Sequence, residues 1–234
     1  ATCGLDVIVL DHHTAETSLP TAIIVNPNRL DQELGERIDL KLLCAAGVAF
    51  LFIVALNRAL RASGHFQTHQ EPDLLNYLDI VALGTVCDVM PLKGLNRALV
   101  TQGLKIARMR KNIGLATLAD VAELKGGITS AYHFGFMIGP RINAGGRVGQ
   151  ADLGSRLLFT QDALEAKELA IRLNELNAQR QEIERQVLEE AVIQVETQDL
   201  NSRSVIMVKG NNWHPGVIGI VSSRLKDKYH KPTL

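Results

Sequence analysis

The chain has 234 residues, with 25 Lys and Arg against 25 Asp and Glu, so its formal net charge is zero, and 46% of it is hydrophobic. This is ordinary globular material, enough for one large domain or one and a half, and it excludes an overall basic character as a source of affinity for nucleic acid. No run reaches the roughly 18 uninterrupted apolar residues of a membrane span, and Cys3, Cys44 and Cys87 are too scattered for a disulfide framework, so a reducing, cytoplasmic setting without membrane contact is expected.

Val7 to Leu10 is a short β-branched and aliphatic run that predicts a buried strand over Leu5 to Leu10, and Asp11, His12 and His13 follow at its C-terminal end. Open α/β sheets bind ligands at that end. Neighbouring side chains leave an extended chain in opposite directions, so the two imidazoles are expected to divide their roles at a metal site, with Asp11 orienting one of them. For any single His, a strand end that merely carries polar residues is the alternative. Residue 1 leads almost directly into this strand, so no secretory leader is expected.

A second strand is predicted over Ala22 to Val25, then a long core helix from Leu40 to Arg61 and a polar loop from Gly64 to Pro72. A helical segment from Asp73 to Ala82 gives way to a Gly-containing loop, Leu83 to Leu92, in which Asp88 stands alone among Val, Cys, Val and Met. A carboxylate is costly to bury there unless it is paired or bound to a cation, so Asp88 is a second candidate ligand; the alternative is a helix or turn cap. Further helices are expected at Asn96 to Arg108, Leu115 to Leu124 and Thr129 to Ile138.

Gly139, Gly145 and Gly146 then suggest backbone freed for positive φ, while Arg141, Asn143 and Arg147 supply forked or planar donors, together a phosphate cradle. A Gly-rich surface turn with solvated arginines is the alternative. The basic cluster Lys105, Arg108, Arg110 and Lys111 reads as a solvated helix end, with Arg156 a further basic residue near the cradle.

From Thr160 onward Leu169, Leu173, Leu176, Ile183, Val187 and Val195 recur at helical spacing, and neither Gly nor Pro interrupts Gln161 to Leu200. Thr160 is the expected cap, Asp162 favours the N-terminal dipole, and about 35 residues would span roughly 50 Å. Such a helix reads as a connector strapped onto its own lobes and not as a coiled-coil arm, because Arg180 falls at a core-like position. A strand over Ser204 to Val208 follows. Beyond it, Trp213 is placed to support a base or sugar, and Gly216 and Gly219 to turn backbone N–H groups toward an anion at the start of a helix through Val221 to Leu225; a buried Trp beside a strand-to-helix turn is the equal alternative.

Asp11-His12-His13 and Gly84-Thr85-Val86-Cys87-Asp88-Val89-Met90-Pro91-Leu92 together resemble the third and fourth motifs of the DHH phosphoesterases. Gly139-Pro140-Arg141-Ile142-Asn143-Ala144-Gly145-Gly146-Arg147 and Trp213-His214-Pro215-Gly216-Val217-Ile218-Gly219-Ile220-Val221 are similar to segments of the RecJ type within that superfamily, in the same order and over essentially the whole chain. The resemblance implies an α/β fold: a DHH domain over 1–159, a mostly parallel sheet flanked by helices with its N-terminal part missing; a connecting helix over 160–200; and the start of a smaller α/β DHH-associated domain over 201–234.

It also implies a 5′ to 3′ exonuclease acting on single-stranded DNA in repair and recombination, with Mn2+ or Mg2+ in a two-metal site. His12 and Asp88 would bind metal, Asp11 would ligate or orient, and His13 would meet the scissile phosphate. Arg141, Asn143, Arg147, His214 and Gly216 would position the strand. A single-strand-binding protein and a helicase are the candidate protein partners. The family supplies further ligands from an Asp-x-Asp motif and another Asp on strands ahead of the Asp-His-His segment; no residue here precedes Ala1, and Asp6 is not their equivalent. The expectation is therefore an internal fragment with little activity of its own. Two other readings share these residues. An oligonucleotide or cyclic-dinucleotide phosphodiesterase usually carries a Gly-Gly-Gly-His signature where this chain has Trp213-His214-Pro215-Gly216, and a catalytically silent replication scaffold tends to lose the ligands retained here.

Overall fold

The structure is a computed structural model that describes residues 4–31 and 35–234; Cys3 lies outside them. Two short strands, β1 (Ile8–Leu10) and β2 (Ile23–Val25), pair in parallel with Ile8 opposite Ile23 and Leu10 opposite Val25. Among the described residues eight α-helices follow: α1 (Ala45–Ala62), α2 (Leu78–Cys87), α3 (Gly94–Arg108), α4 (Ile113–Val121), α5 (Gly139–Val148), α6 (Leu153–Phe159), α7 (Ala163–Thr197) and α8 (Pro215–Tyr229). The chain is thus α/β with a helical majority and, among the described residues, a two-stranded sheet.

Helix α2 is the centre of the first core. Leu78, Val81, Ala82, Leu83 and Thr85 are buried, and Ile80, Gly84, Val86 and Cys87 on the remaining side are half-buried, so no residue of the helix is exposed. It packs most extensively on α3, where a Cβ on Gly103 would fall 2.2 Å from the carbonyl oxygen of Leu78, so only glycine permits this approach. The predicted loop at Leu83 to Cys87 is instead the last part of this helix. Glycine at 84 lowers propensity, but burial against Ala46 and Cys44 keeps the segment helical.

The predicted core helix from Leu40 also needs correction. A 3₁₀ turn occupies Gly35–Leu42, and α1 begins only at Ala45, capped by the Cys44 thiol. One face, with Val48, packs on Leu78, Val81 and Leu99, whereas Ile53, Val54 and Leu56 are exposed, because no described element covers them. By length and apolarity α1 is, among the described residues, the one helix that meets the requirement for a membrane span. Its Asn57, however, is buried and donates to Glu71 Oε1 at 2.8 Å, and Arg61 pairs with the same carboxylate.

Helix α7 runs unbroken for 35 residues, about 52 Å at 1.5 Å per residue. Ala166, Leu169, Ala170, Leu173 and Leu176 enter the core formed with α2–α6, and Val187 and Ala191 form a second core with Val217, Val221 and Leu225 of α8. Its N-cap is Asp162, whose carboxylate accepts from Leu164 N and Glu165 N; Thr160, the expected cap, instead receives Asp162 N and donates to Glu165 Oε2. The predicted strand at Ser204 to Val208 is a single parallel bridge between Ile206 and Thr233, flanked by Val208 N donating to Leu234 O at 3.1 Å.

Candidate metal site and phosphate cleft

Strand β1 ends at Leu10, although Asp11 N still donates to Val25 O at 3.1 Å. Beyond that point the backbone is held by amide side chains from the end of β2. Buried Asn26 donates to His13 O at 2.9 Å and to Asp11 Oδ2 at 3.4 Å, and Asn28 donates to His12 O at 2.6 Å. Because the strand has already ended, strict alternation fails: the His12 and His13 rings are neighbours with centroids 4.5 Å apart, not on opposite faces as expected. Asp11 Oδ1 contacts His13 Nδ1 at 2.7 Å, so the imidazole it orients is that of His13. Burial works to raise the Asp11 pKa, but the His13 ring and the backbone N–H groups of His12 and His13 outweigh it and hold the carboxyl below its ordinary range.

Asp88 arrives from the other side as the C-cap of α2. The helix closes in a Schellman arrangement: Met90 N donates to Thr85 O and Val89 N to Val86 O, with Val89 at φ 56°. A β-branched residue in this left-handed region is strained, and Val89 is also highly exposed. The turn brings Asp88 Oδ2 to 3.3 Å from His12 Nε2. The expected apolar burial of Asp88 is corrected: its side chain is 43% exposed, because the cap projects it past the core and Val89 turns outward. Its place beside His12 therefore comes from the capping geometry and not from burial.

An imidazole nitrogen and a carboxylate oxygen at this separation suit adjacent positions around one octahedral cation, whose ligands at about 2.1 Å lie roughly 3.0 Å apart. The chemistry of the pair fits manganese or magnesium. Among the described residues no group of three or more His, Cys, Asp or Glu converges as a metal cluster, so the pair by itself could supply only part of a coordination shell.

The Gly139 to Arg147 segment is not a loop. It continues a π-helical turn, His133–Ile138, directly into α5, and none of its glycines has positive φ. They permit close approach instead: a Cβ at Gly139 would sit 2.4 Å from Cys87 Sγ, and one at Gly145 would sit 2.8 Å from Gln150 O. Arg141 is half-buried, donating to Asn174 Oδ1 at 2.9 Å and Met137 O at 2.7 Å, and burial lowers its pKa. Asn143 and Arg147 are exposed on a cleft whose floor includes Cys87, the residue before Asp88.

Helix α8 docks onto the end of α5, bringing the two glycine-bearing segments together. Arg147 Nη1 donates to Gly216 O at 3.0 Å, and a Cβ on Gly216 would fall 2.3 Å from Arg147 O. Gly216 N is not free to face an anion, since it donates to His214 Nδ1 at 3.0 Å in the helix cap, and Gly219 lies inside the helix. Trp213 packs against the second core and donates to Glu190 Oε2 at 2.7 Å, so its ring is anchored to α7. Sequence reasoning missed Asn26 and Asn28. The Asn-Pro-Asn turn after β2 carries their signal, because such residues bind nearby backbone.

No family model matches the chain. The single-stranded-DNA-specific exonuclease RecJ of Haemophilus influenzae is 39% identical over 99% of this chain and 40% of its own length. The crystal structure of RecJ from Thermus thermophilus in complex with Mn2+ superposes with a TM-score of 0.83 at 38% identity, covering 98% of this chain and 32% of that one. The same protein in complex with Mg2+ gives a TM-score of 0.74 at 35% identity over the same shares. The chain spans about two fifths or less of the length of the curated relatives it matches. By sequence and by fold, over the segment it contains, it is a relative of the RecJ-type proteins.

Proposed function

We propose that the chain is the metal-binding and phosphate-holding segment of an exonuclease that hydrolyses single-stranded DNA from the 5′ end with Mn2+ or Mg2+, in repair and recombination. The observation that carries this reading is the 3.3 Å approach of His12 Nε2 to Asp88 Oδ2, across elements 76 residues apart in sequence. When bound, divalent cations polarise a phosphate and lower the pKa of water. His12 and Asp88 hold the metal edge of the site. Asp11 fixes the His13 ring, which is exposed and available to donate to a phosphate oxygen. Arg141, Asn143 and Arg147 place the strand, with His214 and Gly216 shaping the end of α8 that supports Arg147. The naming of the relatives as single-stranded-DNA-specific exonucleases and the manganese and magnesium in their structures support the reading.

We further propose three parts: a DHH domain over 1–159, the connecting helix over 160–200 and the start of a DHH-associated domain over 201–234. The partners proposed for the whole protein are single-stranded DNA, a single-strand-binding protein and a helicase, and its proposed place is the cytoplasm. The test is manganese titration by calorimetry on the chain and on His12→Ala and Asp88→Ala. Each substitution should weaken binding by roughly a hundredfold; unchanged affinity in both overturns the metal assignment. Two ligands alone do not fill a six-coordinate shell, so the 234-residue chain by itself should hydrolyse 5′-phosphorylated oligonucleotide little or not at all. Preference of a RecJ-length protein for dinucleotides over long single strands would overturn the exonuclease reading.

A further inference from the structure

The π-helical turn His133–Ile138 sends its residues in three directions. Phe134 and Ile138 enter the first core, and Gly135 lines the cleft together with Gly139, Asn143, Arg147 and Arg180. Tyr132, just ahead of the turn, and Phe136 within it go the third way, into solvent, and are 60% and 68% exposed. Their rings stack on one another, with centroids 4.9 Å apart and planes 24° from parallel. Two large aromatic rings held together in water, with neither packed into a core, leave an open π-face on which a third flat group could extend the stack.

Three observations tie this ledge to the cleft and its chemistry. Pro140, four residues beyond Phe136 as Phe136 is beyond Tyr132, is part of the cleft wall, so the aromatic pair continues a row that begins in the cleft. Gly135, the chain neighbour of Phe136, lies so close to α2 that a Cβ there would sit 3.3 Å from Val86 Cγ1, and the thiol of Cys87 donates to Phe134 O at 3.6 Å, which anchors the turn to the segment that ends in Asp88. At the far end of the row, Arg108 Nη2 donates to Thr129 O at 2.8 Å and so holds an exposed guanidinium just ahead of Tyr132. Aromatic faces beside positive charge are the means by which grooves for single-stranded nucleic acid hold bases, and they do so without reading sequence, because every base has a π-face.

We propose that Tyr132 and Phe136 form a stacking ledge for a nucleobase of the single strand where the strand runs out of the cleft past Pro140. None of the four motifs contains Tyr132 or Phe136. The inference rests on the reading of the chain as a binder of single-stranded DNA and adds a base contact to it.

The test uses an oligothymidylate carrying one 2-aminopurine, moved along the strand, with the 234-residue chain in EDTA. Stacking on a protein ring quenches 2-aminopurine, so wild type should quench it at one or two adjacent positions. Phe136→Leu and Tyr132→Leu keep an apolar side chain but lose the π-face; each should abolish that quenching and weaken binding about tenfold, while the slope of log K against log salt stays as in wild type, since no charge is removed. Phe136→Tyr should restore both quenching and affinity. Phe159→Leu is the control, because Phe159 is 87% exposed at the end of α6 and should change neither. With a strand that has an abasic site at the quenched position, wild type and Phe136→Leu should bind alike. Quenching that survives in both leucine variants, or a tenfold loss in Phe136→Leu that persists on the abasic strand, overturns the ledge and leaves the nuclease reading standing. A wild-type chain that binds no oligothymidylate overturns both.

Discussion

The two halves of the candidate site are held in different ways. The Asp11 to His13 corner is a loop pinned by the side-chain amides of Asn26 and Asn28, each bonded to a backbone carbonyl of the triplet. The Arg147 and Gly216 half is two helix ends pressed together until no Cβ fits between them. A corner tied by a few hydrogen bonds is tuned by single polar groups, whereas a helix contact at that distance tolerates no added atom.

The largest effect is expected where backbone meets backbone. Gly216→Ala should cost about 3 kcal/mol in chemical denaturation, since its Cβ would collide with a main-chain oxygen that cannot turn aside; a loss under about 1 kcal/mol would show that α8 slides freely on α5. In the other half, Asn26→Ala should cost about 2 kcal/mol, as it leaves the His13 carbonyl without its buried donor, and should weaken manganese binding about tenfold. If stability falls while manganese affinity stays put, the amide serves the loop and not the metal.

Helix α2 joins the two halves and sharpens the contrast. Val89→Gly should stabilise the protein by about 1 kcal/mol by relieving the left-handed β-branched residue, read as a raised urea midpoint. A lowered midpoint would mean that the Val89 side chain is used. At the opposite end of α2, Asp79 is buried, with Oδ1 accepting from Ile80 N and Oδ2 unpartnered. Burial raises its pKa above the ordinary 3.8 despite that N–H. A raised folded value means that stability from this group is fully present below the unfolded pKa and is lost as pH rises through the folded one. Asp79→Asn should therefore gain on wild type as pH rises from acid to neutral, in the smallest effect of this series; parallel pH–stability curves would place the carboxylate in water.

Much of this was legible in the residues, for identifiable reasons. Short apolar strands, the long Gly-free helix and the partnership of His12 with Asp88 are written in local pattern and in motif resemblance. What the pattern did not carry is who sits next to whom. Glycines at 139 and 145 look the same in sequence whether they free a turn or admit a neighbouring helix, and only Cys87 and Gln150 in space decide it. Asp88 likewise lies between apolar residues in sequence, but the capping turn lifts it out of the core. Arg180 was conspicuous as a misfit on its helix, and its reason, Glu184 one turn on, became visible only with Arg224 beside it.

The unbroken α7 has a mechanical corollary. One wall of the cleft, Arg180, is part of a rod whose two ends are locked into separate cores, with neither glycine nor proline to bend it. The gap between Arg180 and Arg147 is accordingly fixed when the chain folds and not when a ligand arrives. A ligand entering a cleft with a wall set in this way meets groups already in place, which lowers the entropy lost on binding.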